Sequence, residues 1–187
     1  MTAIQIQTPR WWLLPIAGAL VLMIVSAVPS QAEPSRNPFP DMDDITTWYD
    51  QRPPHEFFLA DRPGVWFLTP SGLNCGIWVW GSFGCTGDIP GTPPGDNHIA
   101  WYNGNRAVHH GWTAAIQFPP GQAVRTLPPR NYVAYESTSC AITPDGNTYC
   151  QHGANKFFIT PQGTWFKAWN DRRSHVCNAY GSCVPDW

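Results

Sequence analysis

The segment Cys140-Ala141-Ile142-Thr143-Pro144-Asp145-Gly146-Asn147-Thr148-Tyr149-Cys150 decides the fold of this chain. Proline favours the first corner of a type I turn, and glycine supplies the left-handed residue that closes a three-residue hairpin loop with a bulge. Such a loop places Thr143 opposite Asn147 and, three rungs further along the ladder, Cys140 opposite Cys150. That rung is a non-hydrogen-bonded one, where side chains approach most closely. The segment therefore predicts a hairpin with a disulfide across it.

The tetrapeptide Thr-Pro-x-Gly occurs twice more, at Thr69-Pro70-Ser71-Gly72 and Thr160-Pro161-Gln162-Gly163. Apolar runs flank both copies, so the same reasoning predicts a hairpin tip at each. The predicted opposite pairs are Thr69 with Leu73, Phe67 with Cys75, Thr160 with Thr164, and Phe158 with Phe166. The repeated turn indicates a domain assembled from antiparallel hairpins.

The dipeptide Asn103-Gly104 predicts a fourth hairpin, because Asn-Gly is the preferred pair for a two-residue type I′ turn. Counting outward places His98 opposite His109, with Cβ atoms about 5 Å apart. Asp96 precedes His98 by two residues, so these three side chains are candidate ligands of a hydrolytic metal site. The alternative is an exposed polar face on which the two histidines meet water. We favour that alternative and expect no stoichiometric metal.

The six cysteines are Cys75, Cys85, Cys140, Cys150, Cys177 and Cys183. An even count in an exported chain is typical of a disulfide framework. Extending the pattern of neighbouring pairs from Cys140 and Cys150 joins Cys75 to Cys85 and Cys177 to Cys183. No C-x-x-C pair is present, so thiolate zinc binding is not indicated.

Proline and glycine, 20 and 16 residues respectively, interrupt the chain so often that no amphipathic stretch of helical length survives. Short apolar runs lie between these breaks, which is the pattern of antiparallel strands joined by long loops. The sequence predicts an all-β fold, a hairpin-rich antiparallel sandwich or partly open barrel with long Pro/Gly loops and local disulfides.

The N-terminus has the order of a secretory signal: a polar stretch ending at Arg10, an apolar run, and the small residues Ser30-Gln31-Ala32. We expect residues 1–32 to be a signal segment cleaved after Ala32. The alternative is an uncleaved membrane anchor, because the apolar run of about 18 residues is near the lower limit for a span. Residues 33–47 are predicted to be a flexible Pro-rich acidic leader, and residues 48–187 a single disulfide-bonded β domain.

Charge and aromatic content narrow the choice of partner. The net charge is −2, which argues against nucleic acid, since nucleic-acid binding favours a basic face. Charged residues are only 13% of the chain, against about 25% in typical domains, and there are 11 tryptophans. Such a composition indicates a chain that relies on aromatic packing and loops.

The run Ile77-Trp78-Val79-Trp80 is apolar on both sides of a predicted strand. One interpretation is a strand buried on both faces. The other is an exposed aromatic strip of Trp78 and Trp80 that stacks on sugar rings or an apolar partner, with Trp101 as a further candidate.

No hydrolase motif is present, and Gly81-Ser82-Phe83-Gly84 lacks the G-x-S-x-G frame of a nucleophile elbow. We therefore expect a non-enzymatic binding module of the cell envelope or the secreted space, without a cofactor or catalytic residues. Its expected partner is an envelope glycan or a protein. A cryptic metal-assisted hydrolase and a purely structural envelope protein are the alternatives.

Two segments carry a resemblance to a known group: Phe67-Leu68-Thr69-Pro70-Ser71-Gly72-Leu73-Asn74-Cys75 and Ile142-Thr143-Pro144-Asp145-Gly146-Asn147-Thr148-Tyr149-Cys150. The chain resembles short exported actinobacterial proteins of unknown function with an F-x-[ST]-P-[SD]-G-N-x-x-C type motif. Leu73 departs from it, since asparagine is usual there. The resemblance implies export, local disulfides and a β-rich fold, and it assigns no catalytic residue.

Overall fold

The computed structural model of the chain describes residues 37–167, 174–178 and 183–186, with side chains described through residue 166. These residues are mostly β and form an eight-stranded and a six-stranded sheet. The helical elements are α1 (Met42–Trp48), α2 (Gly111–Ala115) and two 3₁₀ turns, Pro54–Phe57 and Val79–Gly81. The strands are β1 (Asp50–Arg52), β2 (Phe58–Leu59), β3 (Arg62–Leu68), β4 (Asn74–Trp78), β5 (Ser82–Thr86), β6 (His98–Trp101), β7 (His109–His110), β8 (Asn131–Tyr135), β9 (Thr138–Ile142), β10 (Thr148–His152), β11 (Asn155–Thr160), β12 (Gly163–Lys167), β13 (Ser174–Asn178) and β14 (Cys183–Asp186).

Chain order and sheet order nearly coincide, as expected for a fold built from hairpins. The six-stranded sheet runs from β2 to β7 in sequence order, and the eight-stranded sheet runs β1-β8-β9-β10-β11-β12-β13-β14. Neighbouring strands of these sheets are antiparallel with one exception, β1, which pairs in parallel with β8. The predicted all-β, hairpin-rich antiparallel sandwich is confirmed, with that parallel edge added.

The main core lies between the two sheets, which pack face to face. Phe83 of the six-stranded sheet contacts Phe157 of the eight-stranded sheet, with ring centroids 5.3 Å apart. The disulfides Cys75–Cys85 and Cys140–Cys150 are buried in this core. Each joins opposite residues of neighbouring strands, as predicted. Closing loops of this size contributes about 2 to 3 kcal/mol of stability each.

Two disulfides in the described part of the chain are typical of a protein that folds in an oxidising compartment. Cys177 and Cys183 are opposite partners in the register of β13 and β14, but their side chains lie outside the described residues. The predicted signal segment, residues 1–32, also lies outside them. Within the described residues, no helix is both long and apolar enough to cross a membrane.

The outer face of the eight-stranded sheet is covered by the segment that precedes β1. Phe39 and Ile45 are buried there against Tyr149, Tyr132 and Phe158. The prediction of a flexible leader over residues 33–47 is therefore wrong for its described part, residues 37–47. Asp41 caps α1 by accepting a hydrogen bond from the backbone N–H of Asp43, so the acidic residues begin a helix.

The outer face of the six-stranded sheet is covered by α2 and the chain that follows it. Trp66 and Trp78 stack with ring centroids 5.6 Å apart, and Phe118 packs edge-on against Trp78. Gly76 makes room for this layer, since a Cβ there would lie 2.6 Å from the Trp66 ring. Buried residues therefore lie on both faces of each sheet, and they include Trp66, Trp78 and Trp101.

Two of the three Thr-Pro-x-Gly turns have the predicted register. The backbone N–H of Thr69 donates to the oxygen of Leu73, and that of Thr143 donates to the oxygen of Asn147. The third prediction is wrong by one residue, because Thr160 pairs with Gly163, Phe157 with Phe166, and Phe158 with Trp165. Gly72 and Gly146 have left-handed φ values of 88° and 81°, whereas Gly163 has φ 155°. Gly163 therefore joins the strand, and only Pro161 and Gln162 remain in the loop.

The predicted register around Asn103-Gly104 is also wrong. A tight turn does form there, since the N–H of Asn105 donates to the oxygen of Tyr102. The ladder, however, pairs Ala100 with His109 and Ile99 with His110. The indole N–H of Trp101 donates to the backbone oxygen of Asn105 at 2.9 Å. A side chain is therefore bonded to this backbone acceptor at the point where the predicted ladder would begin.

Candidate functional site

The predicted aromatic strip of Trp78, Trp80 and Trp101 does not form. Trp78 is 6% exposed and packs in the outer layer of the six-stranded sheet, and Trp101 is 4% exposed and faces the main core. The interpretation of β4 as a strand buried on both faces is confirmed for Ile77 and Trp78. Trp80 alone of the three candidates reaches solvent, at 71% exposure.

Trp80 leaves the strand because β4 ends at Trp78 and the chain turns through Val79–Gly81. Its backbone has φ 56° and ψ 35°, which is the left-handed conformation. That conformation costs a residue other than glycine about 1 to 2 kcal/mol, because its Cβ crowds the following carbonyl oxygen. A bulky aromatic residue is uncommon there. An exposed indole ring recovers little of this energy by burial.

Hydrogen bonds from distant segments hold this turn, which we call the Trp80 turn (Val79–Gly81). The side-chain amide of Asn103 donates to the Trp80 carbonyl oxygen at 2.7 Å. The hydroxyl of Thr138, the first residue of β9, donates to the Gly81 carbonyl oxygen at 2.5 Å. Two separate segments of the chain thus hold two successive carbonyl groups of the strained turn.

His152 stabilises the Trp80 turn indirectly, through Thr138. Its Nδ1 lies 2.8 Å from the Thr138 hydroxyl, whose single proton is used on Gly81. Nδ1 must therefore carry a proton and donate to Thr138, which fixes the histidine tautomer. The ring stacks on Trp101 with centroids 4.7 Å apart, and burial lowers the pKa of His152. A neutral, oriented imidazole thus anchors the turn to the core.

A second turn lies against the Trp80 turn. A Cβ at Gly81 would overlap the carbonyl oxygen of Glu136, so the backbone of the turn containing Glu136 and Ser137 is next to Gly81. Both of those residues are exposed, as is Asn103. The exposed indole is therefore carried on a turn that borders two exposed polar loops.

The proposed metal ligands are not brought together as predicted. Because the register differs, His109 lies opposite Ala100 and His98 lies opposite Thr86. Asp96 instead pairs with His110, whose Nδ1 is 2.9 Å from its carboxylate. His98 packs edge-on against Phe118, and burial lowers its pKa. Within the described residues, no three His, Cys, Asp or Glu side chains are grouped so as to hold a metal ion.

At the opposite end of the strands, the three Thr-Pro-x-Gly turns converge on a cavity of about 270 Å³. We call it the turn pocket. It is lined by Pro70, Ser71, Asp88, Pro90, Asp145, Gly146, Asn147, Ile159, Thr160 and Pro161. The repeated tetrapeptide predicted three hairpin tips but did not indicate that they line one cavity. The available signal was that the repeated tetrapeptides follow alternate strands, β3, β9 and β11, whose ends lie on the same side of the sandwich.

The fold and these sites define a disulfide-bonded β-sandwich with a presented tryptophan at one end and a small pocket at the other. Comparison with protein-family models, curated proteins and solved structures found no match for this chain.

Proposed function

We propose that this protein is a non-enzymatic binding module and that Trp80 is the centre of its binding surface. The observation that carries the proposal is the exposed indole on a left-handed backbone. At this position the strain costs about 1 to 2 kcal/mol and glycine or asparagine would fit better. Fold stability therefore does not account for a tryptophan here, whereas presentation of an aromatic ring to a ligand does.

The ligand class that suits this surface best is a glycan. The C–H face of a sugar ring packs on an indole face, while its hydroxyl groups exchange hydrogen bonds with carboxylates, amides and hydroxyls. Residues of these types, Glu136, Ser137 and Asn103, are exposed on the two loops that border the Trp80 turn. A stable protein interface buries about 800 Å² on each partner. One exposed ring at a turn is better matched to a sugar than to such an area.

The proposal includes export to the cell envelope or the secreted space. Its support is the signal-like order of the N-terminal residues, together with two disulfides that suit an oxidising compartment. The resemblance to short exported actinobacterial proteins points the same way. Envelope polysaccharide is the glycan that such a protein meets first.

The test is co-sedimentation of the purified protein with insoluble cell-wall polysaccharide, comparing wild type with Trp80→Asn. Asparagine tolerates the left-handed conformation, so the variant should unfold at the same denaturant concentration as wild type or a slightly higher one. Loss of a central aromatic contact should weaken binding about 30-fold, corresponding to about 2 kcal/mol.

Trp112→Asn is the matched control, because Trp112 is equally exposed but lies on α2, outside the Trp80 turn. It should bind like wild type. Equal binding by Trp80→Asn and wild type would refute the proposal, and so would equal loss in both variants. Failure of wild-type protein to sediment with the polysaccharide would refute the assignment of a glycan.

A further inference from the structure

The turn pocket is a second site with its own chemistry, independent of the Trp80 turn. Three chain segments that carry the same tetrapeptide form its rim, and the loop that contains Asp88 and Pro90 closes it. Its volume of about 270 Å³ is close to the lower end of small-ligand pockets, about 300 Å³. A single side chain or small molecule is the size of ligand that fits.

The rim of the pocket is preformed, because each turn is held by its own threonine. The hydroxyls of Thr69 and Thr143 accept hydrogen bonds from the backbone N–H groups of Leu73 and Asn147. The hydroxyl of Thr160 accepts one from the backbone N–H of Gln162. These are the bonds by which threonine stabilises a turn locally. Little ordering of the rim is then needed when a ligand enters.

The fourth wall is tied to the opposite sheet. The hydroxyl of Thr164, a buried residue of β12, donates to the carbonyl oxygen of Pro90 at 2.6 Å. Ile89, next in the chain to Pro90, is buried in the main core. The loop that contains Asp88 is therefore held by contacts with both sheets.

The turn pocket has apolar walls and two negatively charged side chains. Pro70, Pro90, Pro161 and Ile159 provide the apolar surface. Asp88 and Asp145 are the charged residues among the lining residues, and both are exposed. Asp145 also acts on Tyr49, whose pKa is raised by burial, lowered by Arg130 and raised by Asp145. Neither Tyr49 nor Arg130 lines the pocket.

A buried hydroxyl without a partner lies beside the pocket. Thr148 is 1% exposed, and its Oγ1 has no hydrogen-bond partner among the described residues. It pairs with Ile159, so both side chains are on the same face of the sheet. Ile159 lines the pocket, and Asn147, the residue before Thr148, does too. An unsatisfied buried hydroxyl is uncommon in folded proteins, and Thr148 itself is not one of the residues that line the pocket.

We propose that the turn pocket binds the side chain of a lysine residue presented by a polypeptide. The proline and isoleucine walls would cover the methylene stem, while the carboxylates of Asp88 and Asp145 attract the ammonium group. An ammonium group is a compact charge with three donors, which suits acceptors that approach from separate loops. A guanidinium fork suits a single carboxylate better. The pocket is thus a recognition site for a cationic segment of a partner.

The experiment titrates the full-length oxidised protein with Nα-acetyl-lysine N-methylamide and follows the backbone amide resonances by NMR. The lysine derivative should give saturable shifts at the amide resonances of Ser71, residues 145–147 and residues 159–160, since the lining prolines have no backbone N–H. The norleucine derivative, which has the same stem without the charge, should not. Asp88→Asn and Asp145→Asn should each weaken binding about tenfold, the effect of losing one charge-assisted hydrogen bond.

Asp43→Asn is the control, because Asp43 is an exposed carboxylate on α1, outside the turn pocket. It should bind the lysine derivative like wild type, and so should Trp80→Asn, which separates this test from that of the glycan site. Equal binding of the norleucine and lysine derivatives would overturn the proposal. Unchanged affinity in both aspartate variants would do the same. Tighter binding of n-butylammonium than of the lysine derivative would reassign the pocket to free amines.

Discussion

The two ends of the sandwich are built from the same strands but in opposite ways. At the turn pocket, each turn is closed by its own threonine, and glycine occupies the left-handed position in two of the three turns. At the Trp80 turn, tryptophan occupies a left-handed position, and the side chains that hold it come from a distant loop and from β9. The turn conformations at the turn pocket are thus determined by local hydrogen bonds, whereas the conformation of the Trp80 turn depends on tertiary contacts.

This difference indicates where strain is tolerated. A turn whose backbone hydrogen bonds are made by its own residues needs no hydrogen bonds from other segments. Its residues are therefore free to form the rim of a pocket. A turn that carries a strained residue persists only when its surroundings over-determine it. Asn103, Thr138 and His152 provide that support at the Trp80 turn. Perturbing equivalent positions at the two ends should therefore give unequal effects.

The largest contrast is expected between Gly81→Ala and Gly146→Ala. Both glycines have left-handed φ values, 75° and 81°. A Cβ at Gly81 would also overlap the Glu136 oxygen and lie 2.8 Å from Nδ1 of His152, whereas at Gly146 the nearest atom is 3.9 Å away. Urea unfolding should show a loss of about 2 to 5 kcal/mol for Gly81→Ala and about 1 to 2 kcal/mol for Gly146→Ala. Equal losses would mean that backbone strain alone governs both turns.

A smaller contrast is expected between Thr138→Val and Thr143→Val, which each remove one hydroxyl at nearly constant volume. Thr138→Val leaves the Gly81 oxygen and the His152 N–H without a partner in a buried site, at a cost of about 1 to 3 kcal/mol. Thr143→Val removes one local bond to the half-buried Asn147, although Thr143 itself is buried, at about 0.5 to 1.5 kcal/mol. Hydrogen exchange should accelerate around residues 79–82 in the first variant only. Faster exchange there in Thr143→Val would contradict the independence of the two ends.

The smallest effect is expected from pH. Burial lowers the pKa of His152 and His98 below the ordinary value of 6.5, so the unfolded chain binds more protons than the folded one when the pH falls below that value. The contribution of these two histidines to the free energy of unfolding should be fully present above about pH 6.5 and should decline as the pH falls below it. Urea midpoints at pH 7.5 and 5.5 measure the decline, and His152→Gln should reduce it. A midpoint that rises on acidification in wild type but not in His152→Gln would contradict this reading of His152.

Local patterns in the sequence predicted most of the local parts of this fold. The turns at residues 69–72 and 143–146 and the Cys140–Cys150 disulfide follow from turn chemistry and alternation over about ten residues, and extending that pattern gave Cys75–Cys85. The wrong predictions concern two hairpin registers. Gly163 pairs with Thr160 in the ladder, and the Trp101 indole donates to Asn105, local arrangements that the preferred turn residues do not specify.

The candidate sites, in contrast, depend on distant contacts. The alternation of residues 77–80 predicted Trp80 on a strand beside Trp78, because nothing local marks the left-handed turn. Asn103 and Thr138 hold that turn from 23 and 57 residues away. Asp88 and Asp145 line the same cavity because separate hairpins end on the same side of the sandwich. Such convergence has no signature within one segment.

The parallel pairing of β1 with β8 sets an order of events during synthesis. Gln51 and Tyr132, which face each other across these strands, are separated by 81 residues, whereas each described disulfide spans 10. At about 5 to 20 residues per second, the partner of β1 emerges about 4 to 16 s after β1 itself. Throughout that interval Phe39 and Ile45 have no sheet to cover. The first part of the domain to be made is therefore among the last to be sheltered, and it is the stretch most exposed to a chaperone.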